Sequence, residues 1–361
     1  MTTRGTVNAP DGLRVRATNS TAGTRLGLLP HATTVRIVET RDGWHRIALS
    51  ADCAADTTVS GWVSAAYVLT DTQPPLPPPR PPPTPAAAVR VGLNVLNRHD
   101  EVALPAAARG CRHFLILDNP GLASRLKREY PDAVVMVRAY WNRRVPGVDE
   151  AIQRLGGCGD PSLIYTGLNE GDECGQDEDG IRRRAAFDVE LARRIKQISG
   201  ATYAAGTFSM GTPDFTRPSV CEIVREVYAP HYNSGLLSWD HHLYSPTMQF
   251  GTSAGIDPIW FETRWRFLFT HCGFDPASPS RVYCSETGVD EGGVGGFPAH
   301  GATSDDVVRW AKWWREIQAE QLLGQSSPFV GGAIFQAGNR EDWAGYNVEG
   351  HIDALAREVW R

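Results

Sequence analysis

No stretch of this chain is long and apolar enough to span a membrane. There is no HExxH or CxxC pair to suggest zinc chemistry, no G-x-S-x-G elbow around Ser285 to suggest an esterase, and no glycine-rich phosphate loop after the first α/β strand. A basic stripe interleaved with aromatics is also missing, and the formal net charge of -5 gives no reason to expect a nucleic-acid partner. The arginines of Arg182-Arg183-Arg184 and Arg193-Arg194 read as the solvated face of a helix. Seven cysteines are too few for a disulfide scaffold and their odd number leaves at least one unpaired within a monomer; Cys158 and Cys174 are placed to bridge in an oxidising compartment.

What is present is a soluble composition, 42% hydrophobic and 21% charged, with eleven tryptophans. Indole faces suit both core packing and stacking on sugar rings. The 361 residues exceed one ordinary domain, and Pro74-Pro-Leu-Pro-Pro-Pro-Arg80-Pro-Pro-Pro-Thr-Pro85 marks a boundary. A run with so few amide donors and so many fixed φ angles forms an extended spacer, so residues 72–88 are expected to link a module at 1–71 to a larger domain at 89–361.

The amino-terminal segment alternates short β-type runs (Leu13–Arg16, Thr33–Val38, Trp44–Ala48, Gly61–Val63) with turn signals at Pro10-Asp-Gly12 and Asp42-Gly43, the pattern of a small antiparallel barrel. With Leu13-Arg14-Val15-Arg16, Gly27, Gly43-Trp44, Gly61-Trp62-Val63 and Tyr67 it resembles the bacterial Src-homology-3-like family. The resemblance implies an accessory that docks on cell-wall or surface polymers. That in turn points to the cell envelope or the outside of the cell, although Met1-Thr-Thr-Arg-Gly5 lacks the apolar core of a signal peptide.

Beyond the spacer, strand-like and helix-like segments alternate. Strands are expected at Arg90–Val95, Phe114–Leu117, Val134–Arg138, Leu163–Leu168, Tyr203–Phe208, Ser238–Tyr244, Val282–Ser285 and Gly332–Gln336. Helices are expected at Gly121–Tyr130, Ile181–Ile198, Pro218–Val227, Ile259–Cys272, Ser304–Gln321 and Val348–Trp360. Eight such strands predict an α/β fold of the closed (β/α)₈ type. Two of the apolar runs end in a carboxylate, Ser162…Asn169-Glu170 and Arg281…Glu286, where barrel enzymes keep their chemistry. Two facing carboxylates are the equipment for retaining glycoside hydrolysis, which needs no metal and no cofactor.

In this respect the larger domain resembles the clan A glycoside hydrolases, which carry Asn-Glu at the end of strand four and a second Glu at the end of strand seven. The resemblance implies Glu170 as acid/base, Glu286 as nucleophile and Asn169 as a sugar ligand, with Tyr244 or His242 of His242-Leu-Tyr244 bonding the carboxylates. Arg138, ending the third strand, is placed to steady Glu286 by charge. The chain departs from the family at strand eight, where Phe335-Gln336-Ala337 stands in place of a tryptophan, and Trp343 is the candidate substitute. Tyr140, Trp141, Trp239 and Tyr346 are further stacking candidates, and Asp290 and Glu291 in the glycine-rich segment 288–296 are rival nucleophiles. The acidic segment 170–180 reads as a solvated rim, with only a loose echo of a calcium loop. The expected partner is a polysaccharide, with a non-catalytic carbohydrate-binding protein and a lytic enzyme for cell-wall glycans as the alternatives.

Overall fold

The computed structural model describes residues 3–9, 13–20, 23–30, 33–49, 60–70, 89–96, 99–141, 144–170, 174–175, 177–248, 258–290, 295–339, 341 and 343–361. The chain divides into two compact units, Met1–Pro81 and Pro82–Arg361. The spacer expected at 72–88 lies outside the described residues.

The first unit is an antiparallel sheet of seven strands: β1 (Thr3–Val7), β2 (Leu13–Arg16), β3 (Arg25–Leu29), β4 (Thr34–Arg41), β5 (Trp44–Leu49), β6 (Gly61–Ser64) and β7 (Val68–Thr70), ordered β3-β2-β6-β5-β4-β1-β7. Alternation along the strands turns Leu13, Val15, Val35, Ile37, Ile47 and Val63 to one core. The edge strands β3 and β7 and the adjoining β1 were not expected, because their apolar alternation is short and broken by glycine and threonine.

The second unit is a closed parallel barrel ordered β10-β11-β12-β13-β14-β15-β8-β9. Its strands are β8 (Arg90–Val95), β9 (His113–Leu117), β10 (Val134–Arg138), β11 (Ile164–Thr166), β12 (Thr202–Gly206), β13 (Ser238–Ser245), β14 (Val282–Val289) and β15 (Phe329–Ala337). All eight fall where the apolar runs place them. Around them run α1 (His99–Ala108), α2 (Pro120–Glu129), α3 (Val148–Arg154), α4 (Glu178–Ile198), α5 (Pro218–Val227), α6 (Ala229–Asn233), α7 (Pro258–Thr263), α8 (Arg266–Thr270), α9 (Ser304–Ala319) and α10 (Ile352–Glu358). The single helix expected at 259–272 is broken at Arg264 and Trp265, both fully buried. There Arg264 donates to the Ser209 carbonyl at 2.5 Å and the Trp265 indole to Gln318 Oε1 at 2.6 Å. The last helix is shorter than expected because a 3₁₀ turn occupies Glu349–His351. The first helix, α1, went unread because Pro105 interrupts its pattern.

Two apolar layers hold the barrel. One lies between strands and helices; the other fills the interior with Leu115, Met136, Ile164, Ala204, Tyr283 and Ala333. Side chains two residues further along a strand share a face, so Arg138 on β10 and Thr166 on β11 follow Met136 and Ile164 toward the carboxyl-end mouth. On β13, Trp239 and Leu243 join the outer core, which turns Asp240, His242 and Tyr244 inward. Gly206 ends β12 at φ +112°, and a Cβ there would lie 2.5 Å from the Asp240 carbonyl, so this close approach needs glycine.

Candidate active site

Strict alternation along β14 turns Cys284 outward and Ser285 inward, and it would turn Glu286 outward again. The register between β13 and β14 shifts here: Asp240 pairs with Tyr283, and His242 pairs with Glu286, three residues on β14 opposing two on β13. This bulge aims both Ser285 and Glu286 into the mouth, which is how bulges re-aim side chains beside functional sites. Glu286 is only 4% exposed. It forms a buried ion pair with Arg138, and its Oε2 accepts from the Tyr244 hydroxyl at 2.9 Å.

Glu170 follows β11 in a loop rather than on the strand, at φ +32° in the left-handed region. Arg184 of α4, wholly buried, holds that conformation by donating to the carbonyls of Leu168 (2.8 Å) and Glu170 and to the Thr207 hydroxyl. Asp188, one turn on, lies 3.7 Å from the Arg184 guanidinium and accepts from Tyr203 (2.5 Å) and Tyr228 (2.8 Å). The expectation that Arg182–Arg184 are all solvated therefore fails at Arg184. It lies on the buried helical stripe Ile181, Arg184, Ala185, Asp188, Ala192 and Ile195, and that stripe is visible in the sequence.

His242 joins the two acids. Its Nδ1 is 3.1 Å from Glu170 Oε1 and 3.6 Å from Glu286 Oε2, while its Nε2 is 3.1 Å from both Arg138 Nη1 and Ser285 Oγ. Arginine can only donate, so Nε2 accepts and Nδ1 carries the hydrogen that Glu170 receives. One ligand-type atom each from Glu170, His242 and Glu286 lie within 4.8 Å of one another. Such a set has the donor types for a cation, but the Arg138 guanidinium already neutralises Glu286 and would repel one. Asp240, fully buried beneath, accepts from the Ser285 amide at 2.8 Å, and Asn94 donates to the Ser285 carbonyl at 3.3 Å. These two fix the bulge and were not anticipated from the sequence.

The electrostatics separate the acids. Burial works to raise the Glu286 carboxyl, but His242, the Arg138 charge and the hydrogen bonds from Arg138 and Tyr244 outweigh it and hold Glu286 below the ordinary glutamate value. Tyr244 is pushed well above the ordinary phenol range by burial and by the two carboxylates, so it stays a donor. Glu170 is the more open of the pair, its side chain 31% exposed.

Asn169 precedes Glu170, half-buried. Trp343 is exposed, and its ring packs edge-on to Phe335 (5.5 Å) and Tyr346 (5.8 Å); Phe335 in turn lies 6.5 Å from the Tyr244 ring. Buried Gln336 bonds the Asn339 and Trp343 carbonyls at 2.7 and 2.9 Å and so fixes the loop that carries Trp343. Phe335, noticed in the sequence only as a departure, is thus the centre of an aromatic cluster beside Tyr244. Tyr140 is also exposed. Trp141 and Trp239 are corrections: both are buried in the outer core, where the Trp141 indole donates to the Gly167 carbonyl at 3.1 Å and Trp239 to His241 Nδ1 at 3.3 Å. Neither offers a free face to a ligand.

Asp290 accepts from the Tyr346 hydroxyl at 2.9 Å and joins two loops; Glu291 lies outside the described residues. In the acidic segment, Asp177 caps α4 and Glu178 bonds Arg217 and Ser219, while residues 171–173 and 176 lie outside the described residues. Cys158 and Cys174, like Cys111, Cys221, Cys272 and Cys284, are buried free thiols in this structure; Cys53 is not among the described residues. Among the described residues no helix is long and apolar enough to cross a membrane.

Residues 11–68 match the family described as Bacterial SH3 domain, so the amino-terminal unit is such a domain. No curated protein matches the chain. Solved structures similar to it include an endo-beta-1,4-glucanase from Xanthomonas axonopodis pv. citri, at 12% identity, covering 76% of this chain and 100% of that one with a TM-score of 0.45. A family 39 glycoside hydrolase from Bacteroides cellulosilyticus is also 12% identical, covering 99% and 77% with a TM-score of 0.49. A beta-mannanase from Thermomonospora fusca is 12% identical, covering 73% and 82% with a TM-score of 0.43.

Proposed function

We propose that the barrel is a retaining glycoside hydrolase acting within a β-linked polysaccharide. The observation that carries this reading is the spacing of Glu170 and Glu286, whose nearest facing oxygens lie within 4.8 Å. Retaining enzymes hold their two carboxyls about 5–5.5 Å apart, whereas inverting enzymes need roughly 6.5–9.5 Å to admit a water.

The asymmetry of the pair assigns the roles. Glu286, buried and held ionised by Arg138 and Tyr244, is the nucleophile. Glu170, more open and receiving the His242 Nδ1 hydrogen on Oε1, presents its other oxygen as the proton donor. In the first step a Glu286 oxygen bonds to the anomeric carbon as the glycosidic C–O bond breaks, and the Glu170 proton passes to the departing oxygen. In the second, Glu170 takes a proton from water, the hydroxide oxygen bonds to the anomeric carbon, and the Glu286 ester bond breaks. Asn169 bonds a substrate hydroxyl, and the Phe335–Trp343–Tyr346 cluster supplies an apolar face for a sugar ring. The amino-terminal domain docks on a surface polymer and raises the local concentration of substrate.

The test is release of new reducing ends from a panel of β-glucans, mannans, xylans and cell-wall glycans by the wild type, Glu170→Gln and Glu286→Gln. Release by the wild type that falls ~10³-fold or more in both folded variants supports the reading. Binding to a polymer with no release from any of them would make the protein a carbohydrate-binding one instead.

A further inference from the structure

The buried face of α5 carries Val220, Cys221, Ile223 and Val224. One turn beyond Cys221, Arg225 donates to the His271 carbonyl, and its stem lies where a Cβ on Gly273 would be 3.1 Å from Arg225 Cγ. Residues four apart on a helix share a face, so Cys221 meets the same end of α8 that Arg225 grips. Cys272 sits between His271 and Gly273, the two residues beside Arg225, so it lies against the stretch of α5 that carries Cys221, and the two thiols perturb each other there. Both are free thiols in this structure, buried at 5% and 0% exposure, and Cys221 donates to the Phe215 carbonyl at 3.2 Å.

We propose that Cys221 and Cys272 are a disulfide pair, joined when the chain folds in an oxidising compartment. Either sulfur can attack first, and the balance is the same with Cys221 and Cys272 exchanged. The oxidant is a small or protein disulfide, such as oxidised glutathione. The Cys221 thiolate bonds to one of its sulfurs and expels the other as a thiolate. The Cys272 thiolate then bonds to the Cys221 sulfur and expels the second, so the protein loses two protons and two electrons and the oxidant becomes two thiols. Since both sulfurs are covered in the folded chain, the exchange belongs to folding, before α5 seals against α8.

The bond would brace the strand that carries His242 and Tyr244. Phe215, which Cys221 bonds, packs edge-on to His241 at 6.1 Å, and Phe274, two residues past Cys272, packs edge-on to Trp239 at 5.5 Å. Both contacts are on the outer face of β13. The bridge closes a loop of about 50 residues and therefore restrains the unfolded chain strongly.

The test compares full-length protein refolded with oxidised glutathione and with a reductant. Peptide mapping without reduction is expected to show one Cys221–Cys272 link, with an intact mass lower by ~2 Da. The oxidised form should melt roughly 5–10 °C higher than the reduced form. Cys221→Ser and Cys272→Ser should each abolish that difference, read within each variant, whereas Cys111→Ser should retain it. Quantitative alkylation of both thiols after oxidative refolding would overturn the proposal, as would a link mapped to another pair such as Cys158 and Cys174.

Discussion

Replacing Tyr244 by phenylalanine removes one oxygen and little else. The ring keeps its edge-on contact with Phe335 at 6.5 Å, while Glu286 Oε2 loses a donor at 2.9 Å. A hydrogen bond to an ionised group contributes about 1.5–3 kcal/mol. Glu286 is buried, so no bulk water replaces the lost donor at full strength. The Arg138 ion pair remains and keeps the carboxylate ionised near neutrality, but its charge is less well balanced. At about 1.4 kcal/mol per tenfold in rate, kcat/KM should fall ~10- to 100-fold. The acid limb of the pH–rate profile should also move upward, because one of the bonds that depress the Glu286 carboxyl is gone. The assay is reducing-end release from the polymer found in the screen, followed from pH 3 to 8, with melting as the control for folding. An unchanged rate and an unmoved acid limb in a well-folded variant would refute the assignment of Glu286 as the ionised member of the pair.

Two other substitutions test the supports. Arg184→Met leaves Asp188 buried without its cation and strips donors from the Leu168 and Glu170 carbonyls; it should cost about 3–5 kcal/mol in urea unfolding, and any folded fraction should show a lowered kcat as Glu170 leaves its left-handed conformation. Glu262 is wholly buried and accepts from Ser245 at 2.6 Å and the Trp314 indole at 2.7 Å, and burial pushes its carboxyl well above the ordinary value. A raised carboxyl contributes stability that is complete below the ordinary carboxylate range and is lost as pH rises toward the folded value. Glu262→Gln should therefore gain stability relative to wild type as pH climbs from about 5 to 8, read as a widening difference in melting temperature; parallel melting curves across that range would contradict the neutral-acid assignment.

The barrel was legible because strands buried on both faces leave continuous apolar runs, and all eight such runs became staves. The approximate station of Glu170 and Glu286 followed from the ends of two of those runs. Their orientation did not. Glu286 faces inward only through the bulge opposite His242, and no one-dimensional alternation contains a register shift. Glu170 faces His242 only because Arg184 reaches from α4 to hold a left-handed residue, a contact with a side chain whose run of arginines reads as solvent-facing. The aromatic candidates went astray for a related reason. A tryptophan at a strand end packs outward as readily as it lines a mouth, and the odd or even position on the strand decides which; Trp239 is one residue off the inward-facing set Asp240, His242 and Tyr244.

The pairing of a buried, ionised Glu286 with a proton-donating Glu170 is tested most directly by trapping the covalent intermediate. A 2-fluoro glycoside with a good leaving group, built on the sugar that the polymer screen identifies, should add one glycosyl unit per chain. The account predicts that the peptide bearing Glu286 carries the label and that Glu286→Gln takes up none. A label on Asp290 or any other side chain, or products released with inverted anomeric configuration and no labelled protein, would contradict it.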